Sequence, residues 1–518
     1  MSTTISEAIG RPIGIPGPVG LVARRLRADR RLAGVAAIGL SGAAGLATDL
    51  FAARGATTTG QGLLIMAIGL AIGVVGGLLA RSRWVLVPLV AAYIVGVELG
   101  RQDVQAASLA VRFDIAYGIV MFALARGIHG LLAFVPMTAG VLAGIAAARR
   151  VGWLPVSRRR PYGTAFLGAV ATALAVLVAW PASTPPVVAA DGTPIPGSIA
   201  ELATIPLGGQ DHTVLIRAAD PDKPVLLYLS GGPGQSDLAL SRVLAGGWVN
   251  DFVFVDLDQR GNGRSYPAID PVSSMTLDQA VNDVIELTGY LCERFDEQKI
   301  YIVGESWGTI LGVLAAERRP DLYHAFIGSG QMVNVLDTDR RFYDDLVAFA
   351  DRTGDTALAA NLRDAGPPPY RDFPWTNSQV LGWYDLLYRP YEVSAGSIER
   401  SNAANVGPWG LLGSEYAFVD KANVLRGLVD TFAVLYPQLY AVDLRTEAAR
   451  LEVPVWVLDG AAEIDARRDL AIEWFEALDA PSKQLITYED AAHSVAFEQA
   501  DAVQQLLTDT IVPATYSN

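Results

Sequence analysis

The chain is poor in the residues that build metal and redox centres. Its 518 residues include one cysteine, Cys292, and four histidines. A single cysteine excludes an internal disulfide and has no metal-site spacing. Cys292 is expected to pack as a small hydrophobe within a helix. No metal cluster and no phosphate-binding loop is visible, so no cofactor is implied. Charge is also scarce, at 18% of residues against 51% hydrophobic, yet the net charge is −14. These values describe two unlike halves better than one domain. Residues 1–180 hold 17 basic and 6 acidic residues, leaving 23 of the 40 basic and 48 of the 54 acidic ones for 181–518. The first part is basic and apolar; the second is acidic and ordinary. The arginines of the first part sit in short clusters between apolar runs, which does not describe a nucleic-acid surface.

Those runs are what the chain has in plenty. They cover about 32–53, 62–80, 84–100, 131–148 and 164–180, each near the ~20 residues a helix needs to cross hydrocarbon. We read a basic cytoplasmic tail over 1–31, then a transmembrane domain of five helices over 32–180 embedded in a lipid bilayer. The first run is too long for a signal-peptide core. With the tail inside, the inner segments hold Arg24, Arg25, Arg27, Arg30, Arg31, Arg81, Arg83, Arg149, Arg150, Arg158, Arg159 and Arg160. This positive-inside bias implies a multi-pass protein of the cell membrane, with everything after Trp180 outside the cytoplasm. Residues 112–130 are apolar but broken by Arg112, Asp114, Arg126 and His129, and are expected to form an interfacial or re-entrant helix. Asp49, Glu98 and Asp114 are expected near helix ends or paired with arginines.

Residues 181–199 are rich in proline and read as an extended linker. Beyond them short β-rich runs alternate with helical periodicity: His212–Arg217, Pro224–Leu229, Phe252–Val255 and Ile300–Val303, with a helix over Thr276–Phe295. That alternation predicts an α/β domain over 200–518 with a largely parallel sheet. A run of more than 300 residues leaves room for an inserted subdomain, expected as a helical cap over about 332–450.

Three Gly-punctuated motifs follow strand ends in this half. Ser230-Gly231-Gly232-Pro233-Gly234 is a loop in which backbone N–H groups can approach a ligand and hold an oxyanion. Asp256-Leu257-Asp258-Gln259-Arg260-Gly261-Asn262-Gly263-Arg264-Ser265 is the second. Gly304-Glu305-Ser306-Trp307-Gly308, between a strand and a helix, is the context of a nucleophile elbow with Ser306 at its tip.

As a set, these motifs resemble the proline iminopeptidase (prolyl aminopeptidase) branch of the α/β-hydrolase fold. The resemblance covers roughly residues 200–518 and leaves the membrane domain without a counterpart. It implies an α/β-hydrolase fold with a helical cap, and it places the oxyanion donors at the backbone N–H groups of Gly232 and Trp307. Ser230 stands where the family's first motif begins with histidine, and Asn262 where its second often has cysteine. The resemblance also implies acidic cap residues for the substrate's amino terminus, for which Glu392, Glu399 and Glu415 are available. Glu305 is assigned no role.

A serine hydroxyl needs an imidazole base oriented by a carboxylate. His129 lies in the apolar half, His212 precedes the serine, and His324 opens the strand after the elbow helix. His493, just after the strand-like Gln484–Tyr488, alone meets the order Ser, acid, His. The acid is expected after Val453–Leu458, where Glu463 matches the spacing, with Asp465 and then Asp459 as alternatives. Of the aromatic residues Trp375, Trp383, Tyr384, Tyr388, Tyr391, Trp409 and Tyr416, more are expected in the cap's core than in a substrate wall.

Three functions fit this pattern. One is a membrane-anchored serine hydrolase of aminopeptidase type acting on short peptides. The second uses the same triad on an ester or lipid substrate, since the fold hosts many acyl chemistries. The third is a transporter or receptor with a non-catalytic hydrolase-like domain.

Overall fold

A computed structural model describes residues 25–26, 28–155 and 162–516. Most of the expected tail, including Arg24 and Arg27, lies outside the described residues, as do Arg158, Arg159 and Arg160. The chain forms two compact units, Met1–Val104 with Ala123–Ala179, and Gln105–Phe122 with Trp180–Asn518.

Among the described residues, five helical stretches are long and apolar enough to cross a membrane: Arg30–Ala52, Thr59–Ala80, Arg83–Asp103, Ala116–Arg150 and Tyr162–Ala179. Within the first unit these supply α1 (Arg30–Ala52), α2 (Thr59–Ala80), α3 (Leu86–Gly100), α4 (Ile128–Arg150) and α5 (Tyr162–Ala179). The Asp29 carboxylate caps α1, and Thr58 with Gln61 forms a capping box on α2. Small residues set the packing. Gly69, Gly73 and Gly77 of α2 lie against the backbone of Ala133, Met137 and Val141 of α4, where a methyl group would collide with the carbonyls. This close approach is how apolar helices associate without a hydrophobic driving force between them. Glu98 pairs with Arg126 at 2.9 Å and Arg101 at 3.6 Å, as its placement beside arginines led us to expect.

Residues 112–130, expected as an interfacial or re-entrant helix, form no element of their own. Helix runs from Ala116 into α4, with one π turn at Ala123–Gly127. No proline lies between Ala116 and Gly130, and a π turn absorbs an extra residue without ending the helix.

The second unit is built on an eight-stranded sheet: β1 (Ile199–Leu207), β2 (Gln210–Ala218), β3 (Val225–Leu229), β4 (Val253–Leu257), β5 (Ile300–Glu305), β6 (Tyr323–Ser329), β7 (Val455–Gly460) and β8 (Lys483–Tyr488). Their order is β1-β2-β4-β3-β5-β6-β7-β8. Strands β1 and β2 are antiparallel to their neighbours and the rest are parallel. Strands β3 to β7 are buried along their whole length. Alternate residues feed two cores, Leu227, Val255 and Ile302 on one face, Tyr228, Phe254 and Tyr301 on the other. Each such side chain stabilises the fold by about 1.5–3 kcal/mol. Helix α6 (Leu277–Phe295), capped by Thr276, and the elbow helix α7 (Trp307–Arg318) cover the first face. Cys292 lies on α6, half-buried against that core.

Between β6 and β7 the chain is helical, and includes the long α8 (Phe418–Leu435). Phe342, Leu346, Tyr370 and Val380 form a core of their own there, with Trp383, Tyr384 and Tyr388 packed against it. After β7 comes α9 (Asp465–Ala477). The proline-rich stretch before β1 is extended, as expected, but it is pinned: Ser183 N–H donates to Ser414 O at 2.8 Å, and Arg217 donates to Thr184 and Pro185.

Candidate active site

Ser306, Glu463 and His493 follow the carboxyl ends of β5, β7 and β8, and the loop Ser230–Gly234 follows β3. Loops at the carboxyl ends of parallel strands are where α/β sheets bind ligands. Ser306 has φ +54° and ψ −120°, a rare conformation for a residue with a side chain. Such a backbone costs about 1–3 kcal/mol and persists only where its surroundings enforce it. The surroundings are tight. A methyl group on Gly304 would sit 2.5 Å from Gly308 O, and one on Gly308 would collide with Leu229 O. The Ser306 N–H is tied to Ser329 O at 2.9 Å, and its hydroxyl donates to Met332 Sδ at 3.6 Å.

The loop before the elbow is locked to it by Gln259 of the second motif. Its carbonyl accepts from the Trp307 indole at 2.7 Å, and its amide donates to Ser230 O at 3.0 Å. Gly231 lies beside the Ser306 side chain. Trp307 opens α7, and a first-turn N–H has no partner within its helix. Asn262, in the position where cysteine is common, donates to Gln235 O at 2.8 Å.

His493 Nδ1 lies 2.6 Å from Glu463 Oε2, so its N–H donates to that carboxylate when the ring carries a proton there. Asp465 is exposed and pairs with Arg389, and Asp459 pairs with Arg468, so neither alternative acid is bonded to the histidine. The acid and histidine loops are joined by Ala462 N–H donating to Ala491 O at 3.0 Å. The remaining histidines are engaged elsewhere: His129 with Tyr93, His212 beside Asp283, and His324 stacked on Tyr301.

Sequence reasoning missed two parts of this arrangement. Arg467, four residues past Glu463 on the first turn of α9, donates to both Glu463 oxygens at 2.9 Å. Its guanidinium also lies 2.9 Å from His493 Nδ1 and over the Tyr384 ring. The i,i+4 spacing of the two charges was the available signal. Burial alone would raise the Glu463 carboxyl, but Arg467 and then His493 outweigh it and hold the group at about 2.

The second part is Glu305, which is buried and accepts from Ser494 Oγ at 2.8 Å and Tyr228 OH at 3.2 Å. Desolvation, reinforced by Asp237, pushes its carboxyl up to about 8. Burial likewise pushes Asp237 to about 6 and Asp258 to about 7. Of the residues available for a substrate amino group, Glu392 and Glu399 are exposed, and buried Glu415 is paired with Arg242. Trp375 and Tyr416 are buried.

The chain matches known proteins in this half. A sequence model described as the alpha/beta hydrolase fold matches residues 224–374. A probable aminopeptidase of Bacillus subtilis (strain 168) is 27% identical over 305 residues, covering 58% of this chain and 93% of its own. A proline iminopeptidase-related protein from Thermus thermophilus aligns with TM-score 0.41 at 18% identity, over 61% of this chain and 98% of its own. The proline iminopeptidase of Mycobacterium smegmatis aligns with TM-score 0.41 at 15% identity, over 60% and 97%. The fold is that of an α/β hydrolase with a mixed sheet, preceded by a helical region of long apolar helices.

Proposed function

We propose that this chain is a membrane-anchored serine hydrolase of aminopeptidase type, releasing N-terminal residues from short peptides. The observation that carries the reading is the Glu463–His493 hydrogen bond at 2.6 Å, on loops next to a serine held at positive φ. The similarity to a probable aminopeptidase supports the substrate class. The five apolar helices and the arginine bias support a multi-pass anchor with the amino terminus in the cytoplasm and the hydrolase outside.

In this mechanism the Ser306 hydroxyl turns from Met332 toward His493. Its oxygen bonds to the substrate carbonyl carbon while its proton passes to His493 Nε2. The N–H groups of Gly232 and Trp307 hold the resulting oxyanion. Glu463 fixes the Nδ1–H tautomer and stabilises the imidazolium. His493 then protonates the leaving amine as the C–N bond breaks, leaving an acyl-serine. Water, losing a proton to the same imidazole, attacks the acyl carbon, and the bond to Ser306 Oγ breaks as His493 returns that proton to the serine and the acid leaves. Arg467 keeps Glu463 ionised throughout.

A second reading, an ester or lipid hydrolase with the same triad, is favoured by one observation. None of Glu392, Glu399 and Glu415 is both buried and unpaired, so none is a ready partner for a substrate ammonium group. A panel of prolyl and other aminoacyl anilides against short and long acyl esters separates the readings. Anilide cleavage lost in Ser306→Ala supports the first; ester turnover without anilide cleavage contradicts it.

A further inference from the structure

The hydrolase unit is discontinuous. Residues Gln105–Phe122, which follow the membrane-long helix Arg83–Asp103 and run into the start of the next, Ala116–Arg150, fold as part of it. The contact is built rather than incidental. Ser108 donates twice to Asp430 of α8, its N–H at 2.7 Å and its hydroxyl at 2.6 Å, and both residues are 2% exposed. Tyr266, just after the second motif, donates its hydroxyl to the same carboxylate. A second anchor lies farther along. Arg112 pairs with Asp372 at 2.7 Å and stacks over Trp375, which Tyr117 meets edge-on.

Asp430 stands on the helix that supports the oxyanion loop. One turn before it on α8, Gly427 packs so closely on Gly234 that a methyl group on Gly234 would collide with Gly427 O. One residue after it, Thr431 donates to Gly261 O at 2.7 Å, in the motif whose Gln259 ties the elbow to Ser230. The segment, the buried carboxylate, α8 and two active-site loops are thus in continuous contact.

We propose that Gln105–Phe122 is a strap, supplied by the membrane region, that positions the oxyanion loop through Asp430 and α8. The strap makes turnover depend on a segment absent from residues 181–518. It also fixes a topological relation, because the strap and the hydrolase lie on one side of the membrane. Beyond the strap the chain passes through α4 (Ile128–Arg150) and α5 (Tyr162–Ala179), two lengths of apolar helix that return it to the side it left.

The test uses the full-length chain with Ser108→Ala, Asp430→Asn and their combination. Hydrogen exchange is expected to rise about tenfold at 105–110 and 427–435 in either single variant, because a buried polar partner is lost. With the serine-hydrolase reading correct, kcat falls about tenfold with KM little changed, and the double variant is no worse than the singles. Exchange does not depend on that reading, so it tests the strap even if no substrate is turned over. Wild-type exchange at both segments, or kcat losses that multiply in the double variant, overturns the proposal. A second arm uses Cys292→Ala chains carrying Val111→Cys or Ser482→Cys in sealed vesicles with an impermeant maleimide. Labelling of both, or protection of both, is expected; labelling of only one overturns the shared side.

Discussion

Glu463 and Glu305 are both buried, yet their carboxyl groups are pushed in opposite directions. Glu463 shares its oxygens between His493 and Arg467 and stays ionised down to about pH 2. Glu305, Asp237 and Asp258 accept from neutral groups, Ser494, Tyr228, Gln235, Ser236 and the Arg264 N–H. Burial keeps them protonated to about 8, 6 and 7. The difference lies in one side chain. Arg467 makes a charged carboxylate tolerable beside the imidazole, whereas Glu305 accepts only from the hydroxyls of Ser494 and Tyr228. Negative charge is therefore favoured at Glu463, beside His493, and disfavoured at Glu305, next to Ser306 in the chain.

The largest test of this asymmetry is Ser306→Ala, which is expected to lower kcat on the order of a millionfold. Glu463→Gln keeps the shape but not the charge, and a fall of about 10⁴-fold in kcat is expected from steady-state rates. Arg467→Met leaves the carboxylate with the histidine alone. A fall of roughly 10- to 100-fold is expected, on the scale of losing a ligand-orienting partner. Without the guanidinium the Glu463 carboxyl rises from about 2, so activity at low pH is lost at a higher pH than in wild type. An unchanged acidic limb contradicts the role given to Arg467.

The smallest effect is expected at Glu305. For Glu305 the folded form binds its proton up to about pH 8, whereas an unfolded chain releases it near the ordinary glutamate value of about 4.3. Folding stability contributed by this group is therefore full in acid and lost as pH rises from there through about 8. Glu305→Gln, which keeps the hydrogen-bonding shape without a titrating proton, is expected to change kcat less than about threefold. It should also flatten the fall in Tm between about pH 6 and 9. A steeper fall in the variant than in wild type breaks the comparison.

The amino-acid sequence made the elbow, the two loops before it and the succession of strands β2 to β8 along the chain readable, because each is a local pattern of glycines and β-branched runs. Strand β1 escaped, since Ile199–Leu207 is half exposed, includes a proline and lacks a strong alternation. The acid was placed by spacing after a strand, which is local. Its partner Arg467 was within reach of the same argument, through the i,i+4 spacing. The state of Glu305 was not, because a sequence shows a carboxyl group but not its desolvation. The Ser108–Asp430 contact joins residues 322 positions apart, and no local pattern announces it.

Ser306 is proposed as the nucleophile, activated by His493 with Glu463. Mass spectrometry of the intact chain after a fluorophosphonate probe tests this most directly. A single phosphonyl adduct on Ser306 is expected, absent from Ser306→Ala and formed far more slowly in Glu463→Gln. An unlabelled wild-type chain, or an adduct that persists in Ser306→Ala, contradicts it.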